Sequence, residues 1–376
     1  MSYDLKIWTV QEPQLGATLG ALGFEFDHDS YILPSSRGQI LVSDQLAVEA
    51  EDVPDQISHQ LPGIRYLVEA HIEPGSTDTT LVNRLVGVAK SIAKEFRGVV
   101  EDPQTGEVIL PTGIKRLLDY QKPELFTLMQ LSWWFNDESL LAADRLRQML
   151  DVIDRTIPEA LPRRYGLYEP PKQKYEGREA FLKFLLDNAR RSIVWYPTSP
   201  VDGVYVGIPE KIGPTRIGYR FGCLSITIDA AVIDMPGWSR SVNELFKGLS
   251  SIVDPFYGDV YLLKDHVRSR TVSSSGRTSE QHPTTSWWWN GVPRKLGIGL
   301  VVGQPLIDRI SIKSRYETLD NGCRLVLPKE DDMRREISAS EVKIEDGLRQ
   351  PLTPPDFLVG QKRYPRIWPF PGPFAQ

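Results

Sequence analysis

Phe221-Gly222-Cys223-Leu224-Ser225-Ile226-Thr227-Ile228-Asp229 opens the stretch that decides the fold, and Val260-Tyr261-Leu262-Leu263-Lys264 closes it. In the first piece Ser225, Thr227 and Asp229 alternate with Ile226 and Ile228, as on a strand with one buried side. Between the two pieces Val242, Leu245, Phe246, Leu249, Ile252 and Val253 recur at helical spacing, with Ser239 or Ser241 placed to cap the helix. Pro255 and Gly258 end it before the second extended piece. The stretch reads strand, helix, strand.

The same order returns nearer the start. Arg65-Tyr66-Leu67-Val68-Glu69-Ala70-His71-Ile72-Glu73 alternates as a strand, which puts Glu69, His71 and Glu73 on one side. Thr77 or Asp78 caps a helix whose apolar stripe is Leu81, Leu85, Val88, Ile92 and Phe96, and Gly98 stops it. Val99-Val100 and Val108-Ile109-Leu110 then form a hairpin around Gln104-Thr105-Gly106. A third unit is partial: the strand Leu125 to Phe135 leads to a helix capped by Asp137, with Ala142, Leu146, Met149, Leu150 and Ile153 as its apolar positions, but no immediate return strand. Leu5 to Val10 is a first strand. Residues 163–176 and the Gly- and Pro-rich 197–215 read as irregular, and the Ser/Thr-rich 268–285 as loop. The expected class is α+β, with repeated strand-helix-strand units, mainly antiparallel sheets and helices packed on one face.

With 376 residues, two cores are expected. The division is an acidic α+β domain over 1–119, a Trp-rich α+β domain over 120–330 and a charged, Pro- and aromatic-rich tail over 331–376. No apolar run approaches the roughly 20 residues that span a bilayer, and the first residues lack the basic-then-apolar order of a signal peptide. Two cysteines, Cys223 and Cys323, make no disulfide framework, so a cytoplasmic protein with reduced thiols is expected. The net charge of −5 is uneven: residues 1–120 hold 9 basic and 18 acidic residues, and the rest of the chain carries a balance of +4. An acidic first half repels nucleic acid and suits a basic protein partner. No basic stripe with interleaved aromatics stands out, so neither a nucleic acid nor a membrane is expected as partner.

The chemistry-bearing residues assemble no catalytic signature. His28 sits in Asp27-His28-Asp29, where only the two Asp share a strand face and a metal lacks a third ligand. Glu69, His71 and Glu73 are better aligned, and suit either a general base or metal, or a solvated sheet face. Cys223 reads as a small core residue and His266 as a structural strand end. Gly297-Ile298-Gly299-Leu300-Val301-Val302-Gly303 imitates a phosphate loop, but it is itself β-branched and runs into Gln304-Pro305, so it reads as a strand whose glycines allow close backbone approach. The most unusual run is Trp287-Trp288-Trp289-Asn290-Gly291-Val292-Pro293-Arg294. On a strand Trp287 and Trp289 face one way and Trp288 the other, and tryptophan and arginine are common interface anchors; packing of both sheet faces is the competing account. No catalytic residue, cofactor or metal is assigned. The candidate partner-binding residues are Trp287, Trp288, Trp289, Asn290, Arg294, Glu69, His71 and Glu73.

Strand-helix-strand units with Trp-bearing strands, following an opening such as Tyr3-Asp4-Leu5-Lys6-Ile7-Trp8, resemble bacterial immunity-type proteins of polymorphic toxin and type VI secretion systems. The resemblance spans Trp8 to Thr112 and, more loosely, Leu125 to Gln304, and carries over no functional residue. It implies a cytoplasmic, non-enzymatic protein that binds a toxin and blocks it. Two other readings compete. One is an enzyme with a site at the junction of the two domains, using Glu69, His71 or His266. The other is a structural subunit of a larger assembly, docked through its proline-aromatic tail.

Overall fold

The structure is a computed structural model that describes residues 3–27, 30–36, 38–73, 78–112, 114–117, 125–135, 140, 142–168, 170–189, 191–207, 210–211, 219–267, 291–345 and 348–350. Its contacts divide the chain into two units, Met1–Glu124 with Val267–Thr278, and Leu125–His266 with Ser279–Gln376. The class is α+β, with large antiparallel sheets and helices laid on them.

The first unit runs β1 (Asp4–Thr9), α1 (Leu15–Gly20), β2 (Glu25–Asp27), β3 (Ser30–Ser35), β4 (Gly38–Ser43), β5 (Leu46–Ala47), α2 (Asp55–Gln60), β6 (Tyr66–Glu73), α3 (Thr79–Glu95), β7 (Gly98–Asp102), β8 (Glu107–Ile109) and β9 (Lys115–Leu117). The sheet order is β2-β3-β4-β6-β1-β7-β8-β9, with β5 also against β6. The Asp78 carboxylate accepts the Thr80 and Leu81 amides and so starts α3. From there Leu81, Leu85, Val88, Ala89, Ile92 and Ala93 bury themselves against Leu5, Ile7, Val68, Ala70 and Ile72. The chain leaves β6, crosses through α3 and returns as β7 on the other side of β1, which runs antiparallel between them. The short α2 packs on the opposite face, where Ile57 joins Trp8, Leu67, Val99 and Val108.

The second unit runs β10 (Leu125–Phe135), α4 (Ala143–Thr156), β11 (Arg164–Gly166), β12 (Gln173–Lys174), α5 (Arg178–Asp187), β13 (Ile193–Tyr196), β14 (Val201–Gly207), the pair β15 (Glu210–Lys211) and β16 (Tyr219–Arg220), and β17 (Gly222–Asp229). It continues through α6 (Trp238–Val253), β18 (Tyr257–Val267), β19 (Gly299–Val302), β20 (Ile310–Ile312), β21 (Glu317–Thr318), β22 (Arg324–Val326) and β23 (Val342–Ile344). Ten strands form one sheet in the order β12-β11-β13-β14-β17-β10-β18-β19-β22-β21, and β20 pairs with β23. Helix residues Leu146, Met149, Phe181, Leu185, Leu245, Phe246 and Leu249 share one core with Leu131, Trp133, Ile226, Val260 and Val301. On the other face Trp134, Tyr257, Leu300 and Val302 are covered by Val292, Leu306, Ile310, Ile337, Val342 and Ile344. Residues 331–345 are therefore part of this unit's packing.

The two sheets repeat one connection plan. A middle strand (β1, β10) is followed by a helix, then by strands that lead inward to it (β2, β3, β4, β6; β11, β13, β14, β17, with β12 paired outside β11 at the edge). A crossing helix (α3, α6) then delivers the return strand (β7, β18) to the far flank of the middle strand, and a further strand (β8, β19) pairs outside it. The partial unit at 125–157 is thus no failed repeat: β10 is the middle strand that β17 and β18 enclose.

Several local expectations change. Val201–Gly207 is an inner strand despite its setting in a Gly- and Pro-rich stretch. Val201, Val204 and Val206 face the helices, while a Cβ at Gly207 would stand 2.6 Å from the Tyr205 hydroxyl, so the glycine makes room for the tyrosine ring beside it. Within 163–176, Arg164–Gly166 and Gln173–Lys174 are short edge strands. Neither Ser239 nor Ser241 caps α6. Gly237, at φ 86°, starts it, and the Ser239 hydroxyl donates back to the Ile233 carbonyl. Asp137 and the loop 268–285 lie outside the described residues. No helix among the described residues is long and apolar enough to cross a membrane.

Trp133 is fully buried, its ring 5.3 Å from that of Phe246, and its indole N–H donates to the Ser250 hydroxyl at 2.9 Å. Replacing it with alanine is expected to cost about 3–5 kcal/mol, read as a lower urea midpoint; a loss below about 1 kcal/mol would contradict this packing.

Candidate functional site

Strand alternation gives the first sheet two unlike faces. The face toward α3 is apolar. On the other face, alternate residues of β1 are Asp4, Lys6 and Trp8, and those of β6 are Leu67, Glu69, His71 and Glu73. One half of this face is covered: Leu46, Val53, Ile57 and Ile64 close over Trp8, Leu67, Val99 and Val108. The other half carries the polar residues. Register sets Glu69 opposite Lys6 and Lys6 opposite Glu101, so Lys6 has an acidic residue as its cross-strand neighbour on each side. It also sets His71 between Asp4 and Leu41, and Glu73 opposite Gln39. The His71 Nε2 and Glu73 Oε1 are 3.6 Å apart, with side chains 35% and 55% exposed. By the same alternation Glu25 and Asp27, both exposed, continue this face on the edge strand β2, whose Phe26 stacks instead on Tyr31 toward the α3 side.

The sheet therefore brings together Glu69, His71 and Glu73, as the alternation in the sequence implies, and adds Asp4 and Lys6 to them. Five partly or fully exposed carboxylates, Asp4, Glu25, Asp27, Glu69 and Glu73, lie on a face that also bears Lys6. Composition places the acidic excess in this region of the chain; only the register shows that much of it lies on one face. At the border of the covered half, the Trp8 indole N–H donates to Glu101 Oε2 at 2.8 Å, and Glu101 is only 2% exposed. On the α3 side of the neighbouring position, the Tyr3 hydroxyl donates to Asp102 Oδ2 at 2.6 Å, tying the start of β1 to β7.

The second sheet repeats the half-covered arrangement with different chemistry. On its face away from the helices, Trp134 packs 5.6 Å from Tyr257, and the Tyr257 hydroxyl donates to Asp259 Oδ2 at 2.9 Å. Burial first, and then the Asp259 carboxylate, hold that phenol well above its usual range, so it remains a donor. Beside this covered half lies a strip of uncharged polar groups: Gln130 donates to Ser132, Ser132 to Ser225, and Thr227 to the Gly203 carbonyl, while the Ser192 and Tyr205 hydroxyls share a hydrogen bond. The sequence holds alternation at these positions, but their union into one strip depends on pairing between strands far apart in the chain.

The remaining candidates fall elsewhere. Trp287, Trp288, Trp289 and Asn290 lie outside the described residues, as do His28 and Asp29. Arg294 is exposed, and its carbonyl accepts from Arg349. The His266 ring meets Phe126 edge-on at 6.3 Å in the second unit. Cys223 and Cys323 are both buried free thiols. Burial, with the Asp254 carboxylate close by, pushes the Cys323 thiol up to about 12, which keeps it protonated at neutral pH and removes it as a nucleophile. Within the glycine run only Gly299–Val302 is strand, paired with β18, and the flanking Gly297 and Gly303 allow the close backbone approach: a Cβ there would lie 2.0 Å from the Val260 carbonyl oxygen and 2.2 Å from that of Pro255. Among the described residues no group of three or more His, Cys, Asp or Glu side chains is arranged to hold a metal.

No family model matches the sequence, and no curated protein is significantly similar to it.

The Trp8–Glu101 hydrogen bond is a direct test of this face. Trp8→Phe keeps the ring but removes the donor from a buried carboxylate, and is expected to destabilise the chain by about 1–3 kcal/mol in chemical denaturation. If Glu101→Gln in the Trp8→Phe background is as costly as in the wild type, the two side chains are not coupled.

Proposed function

We propose that the chain is a protein-binding factor that holds a basic surface of a partner on the acidic, open half of the first sheet. The observation that supports this reading is the assembly of Asp4, Glu25, Asp27, Glu69 and Glu73 on one sheet face by β1, β2 and β6. Carboxylates fixed on paired strands keep their positions when a partner arrives, so little ordering entropy opposes binding. Their summed field favours a cationic surface and disfavours nucleic acid. The acidic balance of residues 1–120 works in the same direction.

The resemblance to immunity-type proteins narrows the reading to a bacterial, cytoplasmic factor that neutralises a cognate toxin by covering it. On this reading no bond is made or broken by the chain itself. The tryptophan run at 287–289, with Asn290 and Arg294, supplies further aromatic and polar anchors by its residue types.

The test is recovery of a crosslinked partner from the native host by the full chain and by the double variant Glu69→Lys/Glu73→Lys. Both positions are partly or fully exposed, so the double variant is expected to change stability by no more than about 1 kcal/mol. Partner affinity should fall at least about tenfold, and the wild-type complex should weaken as salt rises. Undiminished binding by the charge-reversed variant, with no salt dependence in the wild type, would overturn the assignment of this face.

A further inference from the structure

The last turn of α6 leaves carbonyl groups without helical partners, as every helix end does, and two distant segments supply donors to them. Arg145 of α4 donates to the Ile252 carbonyl at 3.2 Å. Asn321, in the loop 319–323 that joins β21 to β22, donates its Nδ2 to the Ser250 carbonyl at 3.0 Å and to that of Ser251 at 3.4 Å. Its Oδ1 accepts the Cys323 amide at 3.2 Å. The helix has no basic residue in its own last turn and ends on Asp254 in left-handed conformation, φ 52°. The hairpin is tied to α6 at further points: Leu319 and Leu325 share the core with Leu249 and Val253, and the Lys247 ammonium meets the Glu317 carboxylate at 2.6 Å. Asn321 is therefore a helix cap delivered from 71 residues away.

The residue after it is Gly322. Asparagine followed by glycine is prone to deamidation, because no Cβ keeps the glycine nitrogen from the asparagine side chain. That nitrogen attacks Cγ, a succinimide ring closes and ammonia leaves. Water then opens the ring at either carbonyl, giving aspartate or isoaspartate, so one ammonia is lost for one water gained. In the fold both reacting groups are engaged. The Gly322 N–H donates to the Leu319 carbonyl at 2.8 Å, and the Asn321 amide is bonded at its nitrogen and at its oxygen. Gly322 is exposed, so water reaches the loop.

We propose that Asn321 is a latent deamidation site, sealed by its hold on α6 and opened when the β21–β22 hairpin lifts. The reaction reinforces itself. The carboxylate that replaces the amide has no N–H for the Ser250 and Ser251 carbonyls, and it brings negative charge to a helix C-terminus that already carries Asp254. The Arg145 guanidinium offsets part of that charge but does not restore the two lost hydrogen bonds. Isoaspartate also lengthens the backbone of a five-residue loop by one methylene. Either product keeps the hairpin loose on α6.

The full chain and a synthetic peptide of residues 316–326 are incubated in the same mildly alkaline buffer, and deamidation at Asn321 is followed by mass spectrometry. The folded chain should react at least about tenfold more slowly than the peptide, since several hydrogen bonds must open first. A rate close to that of the peptide would overturn the seal. Leu319→Ala, which thins the hairpin's packing, should speed the reaction at least about tenfold in the folded chain and leave the peptide unaffected; Leu319→Val is the milder form should the alanine variant fail to fold. An unchanged rate in the folded variant would mean that hairpin opening is not the gate. Asn321→Asp, or the deamidated wild type separated by ion exchange, should show a lower urea midpoint and faster hydrogen exchange at the amides of 317–326, with the amides of the first unit unaffected. Wild-type stability and protection in the deamidated chain would overturn the loosening.

Discussion

Each sheet depends on a middle strand that serves two cores at once. In β10, Trp133 points to the helices, with its indole bonded to Ser250, and the next residue, Trp134, points the opposite way onto Tyr257. Both are fully buried, so neither face of the strand meets solvent there. A strand in that position cannot slip by one residue, because every side chain would then change face. That fixes β17 and β18 on its flanks, and with them the span that α6 must cross. The N-terminal strand β1 meets the same demand with smaller residues: Leu5 and Ile7 go to α3, and Trp8 goes to the far face.

The repeated connection plan has a consequence for function. In both units helices, the crossing one among them, pack on one face, and among the described residues a later or looping segment covers part of the other. Residues 46–64 do this in the first unit and 292–348 in the second. Among the described residues the polar strip lies on β4, β6 and β1 in one unit and on β14, β17 and β10 in the other. A buried carboxylate stands on the return strand in each: Glu101 takes the Trp8 indole, and Asp259 takes the Tyr257 phenol. The plan is shared, but the polar chemistry is not, since one strip is acidic and the other is a partly buried row of hydroxyl and amide groups. Packing constrains the core positions of both sheets, whereas the strip residues answer to it less, so one connection plan accommodates two different polar strips.

Legibility followed the range of the interaction. Helix α3 could be read from its stripe and from Asp78, because both act within a few residues. The alternation of Glu69, His71 and Glu73 was equally local. Val201–Gly207 reads as loop in the sequence because Gly203 and Gly207 look like turn residues, whereas pairing with β13 and β17 holds them in a strand. Helix α6 began at Gly237, not at a serine, because a glycine in left-handed conformation turns the chain directly out of the preceding short 3-10 turn. Lys6 could not be matched to Glu69 and Glu101 from the chain alone, because residues 63 and 95 positions away meet it only through the ladder.

The sequence by itself determined the class of the fold, the two-sided strands, the strand-helix-strand order and the acidic bias of the first 120 residues. These follow from periodicities of two and 3.6 residues and from composition, which are properties of short stretches. Only the tertiary structure decided which strand lies in the middle, which half of each sheet is covered, and that Asp4, Glu25, Asp27, Glu69 and Glu73 share a face. Pairing between distant strands makes those choices, and it is settled by the burial of whole faces rather than by any local preference.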